Sequence, residues 1–145
     1  MWQAIINWPW GTIWAAVSAI STLSTVCVAL WAMLRWRKQE ELKVKLAFKQ
    51  AIGDYSFQLV KMPVTIFTNE LSKHENDMRR LSVLYHACIH AMAMTEMLLD
   101  ENDVVSKNWD AFADAHTNYL LGKINSDDID NICTNIINEP FVFGK

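Results

Sequence analysis

The sequence predicts an all-α protein: one N-terminal transmembrane helix followed by a cytoplasmic bundle of about four helices. Three observations predict it. Residues Ile13 to Leu34 form an apolar run without a charged residue, and none of the twelve residues before it is charged. Basic residues crowd directly behind that run. Farther along, apolar residues recur at spacings of three and four, the period of one helix face, and no two segments read as a convincing strand pair.

The apolar run comes first. Its 22 residues reach ~33 Å at about 1.5 Å per helical residue, close to the ~30 Å hydrocarbon core of a bilayer. A helix satisfies its own backbone polar groups inside lipid, so a single crossing segment must be helical. Tryptophan prefers the membrane interface, where the ring is apolar and the indole N–H stays wet. Trp10 and Trp14 form one such belt, with Trp2 and Trp8 beyond it, and Trp31 and Trp36 form the other. Pro9 and Gly11 are expected to break any helix just before the anchor, and Pro9 sits where a helix N-terminus tolerates it. A cleaved signal peptide would carry its positive charge ahead of a shorter apolar core and end in a small-x-small site. Here the charges follow, the run is longer, and the exit reads Ala32-Met33-Leu34-Arg35. The expectation is an uncleaved anchor.

Arg35, Arg37 and Lys38 lie directly past that anchor as topology and headgroup residues. The positive-inside rule then puts the N-terminus outside and the body in the cytoplasm. From Arg35 to Lys49 the local net charge is +4, and from Gln50 onward it is −7. A basic collar ahead of an acidic body speaks against nucleic-acid binding, which needs positive charge on the folded face. The predicted organisation is a short external tail (1–12), a transmembrane helix (13–34), a basic juxtamembrane helix (35–61) and an acidic helical cytoplasmic domain (62–145). Cys27, Cys88 and Cys133 share no close spacing, which suits a reducing compartment.

Past Lys38 the helix is expected to continue, with Val44, Phe48, Ala51, Ile52, Tyr55 and Leu59 on its apolar face. Pro63 should end it near Lys61. Val64 to Leu71 has strand propensity but no partner, so it is read as helical, and Lys73 to Asp77 as a polar hinge. Met78 to Leu99 is the clearest soluble helix, with Met78, Leu81, Tyr85, Cys88, Met92, Thr95 and Leu99 on one seam. After the acidic break at Asp100–Asp103, a helix from Val104 to Leu121 should bury Val105, Trp109, Phe112, Ala115 or His116, and Tyr119, and stop at Gly122. Ser126 is the expected N-cap of a last helix carrying Ile129, Ile132, Cys133, Ile136 and Ile137, with Asp127, Asp128 and Asp130 expected in its first turn, where carboxylates favour the dipole.

Three groups of residues could carry chemistry. His86 and His90 sit one helical turn apart with Met94 beyond, but a zinc site needs a third or fourth ligand. His74, His116, Asp110 or Asp114 would have to supply it, and two outward histidines beside a Met-padded core account for the pattern without a metal. Asp110 and Asp114, followed by His116, form a carboxylate pair without a nucleophile motif, Gly-rich loop or zinc-protease signature. No catalytic residue, cofactor or metal is expected. In the membrane helix, Ser18, Thr22, Thr25, Ala29 and Ala32 fall within an ~80° arc at 100° per residue. Such small-residue faces let helices approach closely. The competing expectation is that the hydroxyls bond back to carbonyls of the preceding turn and the helix stays alone.

The anchor, with its Ala-Val-Ser-Ala-Ile-Ser-Thr-Leu run and Trp-Arg-Lys exit, resembles uncharacterised small single-pass inner-membrane proteins of bacteria and prophages over residues 13–38. That resemblance implies a bacterial inner membrane and a role in phage–host conflict or envelope regulation. The expected function is a non-enzymatic, membrane-anchored interaction module that self-associates or pairs with a partner membrane protein. The alternative is a membrane-perturbing effector of toxin or anti-phage type, its pore lined by Ser18, Ser21, Thr22, Ser24 and Thr25.

Overall fold

Helices carry the whole architecture in a computed structural model that describes residues 9–66, 73–96, 98–99 and 102–142. Four follow in order: α1 (Trp10–Leu59), α2 (Glu75–Ala93), α3 (Asp103–Leu120) and α4 (Ser126–Asn138). No strand occurs among the described residues. The chain divides into two units between Glu40 and Glu41, and α1 contributes to both.

In the first unit α1 starts at Trp10, ahead of the expected boundary at Ile13. Pro9 opens it rather than stopping it: the Pro9 carbonyl accepts from the N–H groups of Thr12 (2.9 Å) and Ile13 (3.2 Å). Gly11 falls in the first turn, where its backbone-entropy cost of ~0.5–1 kcal/mol does not stop the helix. The helix thus begins within the expected tail of 1–12; residues 1–8 lie outside the described set. Segments 13–34 and 35–61 run on as one helix of 50 residues, Trp10–Leu59, in line with the expected continuation past Lys38. It holds the one stretch among the described residues that is long and apolar enough to cross a membrane, and none of that stretch is buried.

In the second unit the end of α1 packs with α2, α3 and α4. Phe48, Ile52, Tyr55 and Leu59 turn inward from α1, Leu81 and Cys88 from α2, Val105, Phe112, Ala115 and Tyr119 from α3, and Ile129, Cys133 and Ile136 from α4. Burying each of the larger apolar side chains contributes ~1.5–3 kcal/mol. Aromatic rings form the centre: Tyr55 meets Phe112 edge-on at 4.8 Å, and Phe48 meets Trp109 at 5.7 Å. Lys49 secures the C-terminal segment by donating to the Glu139 carbonyl (3.2 Å) and lying 5.2 Å above the Phe141 ring.

Three expected elements are corrected. Val64–Ile66 is loop, not helix, and residues 67–71 of that segment lie outside the described set. Its polar groups go to the start of α4: the Val64 carbonyl accepts from Ser126 N–H (2.8 Å) and the Thr65 hydroxyl bonds Asn125 Oδ1 (2.9 Å). The helix expected over Met78–Leu99 starts earlier, at Glu75, inside the expected hinge, with Glu75 and Asp77 in its first turn where carboxylates favour the dipole. It also ends earlier, at Ala93. There Thr95 donates its hydroxyl to the Met92 carbonyl (2.6 Å), and Glu96 takes a positive φ of 46°. Thr95 and Leu99 are still buried, so the seam outlasts the helix. Finally, the N-cap of α4 is Asn125, whose N–H is held by Asp128 Oδ2 (3.2 Å), and Ser126 is the first helical residue. The α3 ends agree with expectation to within one residue: Asn102 Oδ1 accepts from Val104 and Val105 N–H, and Gly122 ends it at φ 67°.

Candidate functional site

On α1, Ser18, Thr22, Thr25, Ala29 and Ala32 are all exposed. Three hydroxyls of this segment donate to carbonyls four residues back: Thr22 to Ser18 (2.9 Å), Ser24 to Ile20 (2.8 Å) and Thr25 to Ser21 (2.9 Å). This is the self-satisfied arrangement expected of hydroxyls in an apolar solvent. Their donors are thus occupied within the helix, while the oxygens keep acceptor capacity. A shallow groove runs along Ala15, Ser18, Ala19, Thr22, Leu23 and Val26. It shares Ser18 and Thr22 with the expected face but adds Ala15 and Ala19, a small-xxx-small pair that the hydroxyl-centred reading passed over. The signal was available in the spacing of those two alanines. The belt residues Trp10, Trp14, Trp31 and Trp36 are exposed, and the Arg35 guanidinium lies 5.3 Å above the Trp31 ring.

Inside the second unit, α1, α2 and α3 meet at a polar cluster. Tyr55 Oη and His116 Nδ1 share a hydrogen bond of 2.8 Å. The Tyr85 ring stacks on the imidazole at 3.8 Å and 7°. His116 is only 4% exposed. Burial, assisted by the neighbouring His86, lowers its pKa to about 4, so the ring is neutral at physiological pH. Burial also raises the Tyr55 phenol and pushes the Tyr119 phenol up to about 12, where its hydroxyl donates to the Pro63 carbonyl (2.6 Å).

The two buried cysteines follow the same logic. Burial, with Asp54 nearby, pushes the Cys88 thiol up to about 12, and its Sγ donates to the Ala51 carbonyl at 3.3 Å. Burial likewise raises Cys133. Both are held as thiols, the unreactive form. The cluster therefore joins three helices by packing and hydrogen bonding. Sequence spacing put His116 on the buried face but held no sign of its pairing with Tyr55, which is 61 positions away.

The other sequence candidates are dispersed. His86 and His90 lie on an exposed face of α2, and Asp110 and Asp114 are exposed on α3. His116 faces Tyr55, while His74 Nδ1 lies 3.8 Å from Asp77 Oδ2. Among the described residues no three His, Cys, Asp or Glu side chains gather as a metal site. No family model, curated protein or solved structure matches this chain.

Proposed function

We propose that this chain is a non-enzymatic, membrane-anchored interaction module. It is a single-pass protein of the bacterial inner membrane, with its N-terminus outside and its helical body in the cytoplasm. It self-associates, or pairs with a partner membrane helix, through the face of Ser18, Thr22, Thr25, Ala29 and Ala32. The observation that carries the reading is the apolar stretch of α1, none of which is buried by the rest of the molecule. An exposed apolar surface of this kind marks contact with lipid or with another protein, and its length suits a bilayer. The tryptophans at its two ends and the cations behind it supply depth and direction. The occupied hydroxyl donors speak against a water-filled pore, the competing effector reading, and equally suit a helix that stays alone, so the case for association rests on the small residues of the face.

Three measurements test this. The chain should stay in the membrane pellet through an alkaline carbonate wash. A reporter fused after Lys145 that works only in the periplasm should be silent. In mild detergent the complex mass should be a multiple of 16.7 kDa, or include a stable membrane partner, and Ser18→Leu with Thr22→Leu should shift it toward the monomer. Collapse of membrane potential on overexpression, abolished by the same substitutions, would instead establish the effector.

A further inference from the structure

We propose that Trp31, Leu34, Arg35 and Lys38 form a binding groove for the phosphodiester headgroup of an anionic phospholipid. This inference rests on the membrane-anchored reading and goes beyond it, because it singles out one side of the basic collar. The four residues line a single groove on α1. Their spacing of three, one and three puts them on one helix face. The Arg35 guanidinium lies over the Trp31 ring at 5.3 Å. This cation–π contact draws the guanidinium to the groove side of the helix, and its five N–H donors can meet phosphate oxygens there. Lys38, one turn on, adds a compact second charge, and the Trp31 and Leu34 side chains form an apolar wall for the lipid's glycerol and upper chains.

Charge complementarity selects the occupant. Glu40 is the sole acidic residue among the first forty. It lines a different groove, with Ala32, Met33, Leu34, Trp36 and Arg37. Helical geometry sets Glu40 roughly 160° around the axis from Lys38. Glu41, the next carboxylate, is held by Lys45 Nζ at 2.7 Å. One groove thus presents two cations beside Trp31, and the other presents one cation, Arg37, beside Trp36 with a carboxylate one turn away. A uniform surface potential would treat Arg35 and Arg37 alike, whereas this groove does not.

The test uses the full chain, purified in mild non-ionic detergent and offered equal amounts of phosphatidylglycerol and phosphatidylcholine. Native mass spectrometry counts the lipids retained. The wild type should hold one anionic lipid in preference. Arg35→Gln or Lys38→Gln should each lower that preference about fivefold, and Arg37→Gln less than about twofold. Equal losses at Arg35 and Arg37, or a wild type without preference, overturn the groove. If excess inorganic phosphate displaces the lipid and binds the lipid-free protein as well, the groove is a free-phosphate site and the lipid proposal is overturned. A chain that leaves the membrane in alkaline carbonate overturns the anchor reading and this inference together. A chain that stays there without lipid preference overturns this inference alone.

Discussion

Acidification should unlock the helical bundle through His116. Its ring is neutral in the folded protein, hydrogen-bonded to Tyr55 and stacked on Tyr85, with a pKa lowered to about 4 by burial and by His86. In the unfolded chain an imidazole titrates near 6.5. Because the folded value is the lower one, the stabilisation is complete above about pH 6.5 and is lost as pH falls from there toward about 4. Each pH unit across that window removes about 1.4 kcal/mol at most. The ceiling is therefore ~3 kcal/mol, and partial water access to the ring and screening bring the expected loss to ~2 kcal/mol. The assay is denaturant unfolding of the full chain in detergent, followed by circular dichroism at pH 7 and pH 4.5, for the wild type and His116→Gln. Glutamine can still accept from Tyr55 but does not titrate. Both proteins carry the same remaining charged groups near the cluster, His86, Asp54 and Asp114 included, so the comparison isolates position 116. The wild type should lose ~2 kcal/mol more than the variant between the two pH values. Equal losses in both would refute the argument that burial keeps this imidazole neutral.

Other outcomes follow from single residues. Gly122→Ala combines a φ of 67° with a new Cβ placed 2.6 Å from the Ile66 carbonyl oxygen, so the denaturation midpoint should fall by an equivalent of ~1–3 kcal/mol. Phe112→Ala removes a fully buried ring that meets Tyr55, Tyr85 and Trp109, and the same assay should register ~3–5 kcal/mol. Asn102→Ala should cost ~1 kcal/mol through the lost cap, whereas Ser126→Ala should cost less than about half that, because Ser126 donates its backbone N–H and is not the cap. Cys88 and Cys133 should resist alkylation at pH 8, measured by intact mass, until denaturant is added, since both are buried and held as thiols.

The bundle was legible where a single helix face decided the matter. The seam from Met78 to Leu99 and the inward face of α3 follow from spacing alone, because burial selects residues three and four apart whatever the partner is. Helix ends were less legible, since they depend on groups from elsewhere in the chain. Ser126 reads as a cap in isolation, yet its N–H is claimed by the Val64 carbonyl, and Asp128 holds Asn125 instead. Val64–Ile66 reads as helix or strand by propensity, but its polar groups are spent on the start of α4. The early end of α2 has a local cause in the Thr95 hydroxyl, which competes for the Met92 carbonyl. The Tyr55–His116 pair was not legible at all, because a contact between residues 61 positions apart leaves no periodic trace.

The proposed membrane segment would invert this pattern, with its solvent, not its packing, writing the sequence. On that reading the tryptophans, the uncharged core and the basic exit answer to the bilayer and can be read without knowing any neighbour. What distinguishes an interaction helix from a pore helix is finer, and it turns on where hydroxyl donors point. In lipid an unpartnered donor is costly, so a helix with several hydroxyls must satisfy them within itself or through a neighbour. Thr22, Ser24 and Thr25 take the first route, each at 2.8–2.9 Å from a carbonyl of the preceding turn. On the membrane reading these three hydroxyls then need no polar partner and no water column. What the face still offers is lack of bulk at Ala15, Ser18, Ala19 and Thr22, which rewards the close approach of another helix through dispersion contacts. A pore would have to reverse those internal bonds to wet its lining, while a packed helix pair would keep them. That difference favours the interaction module.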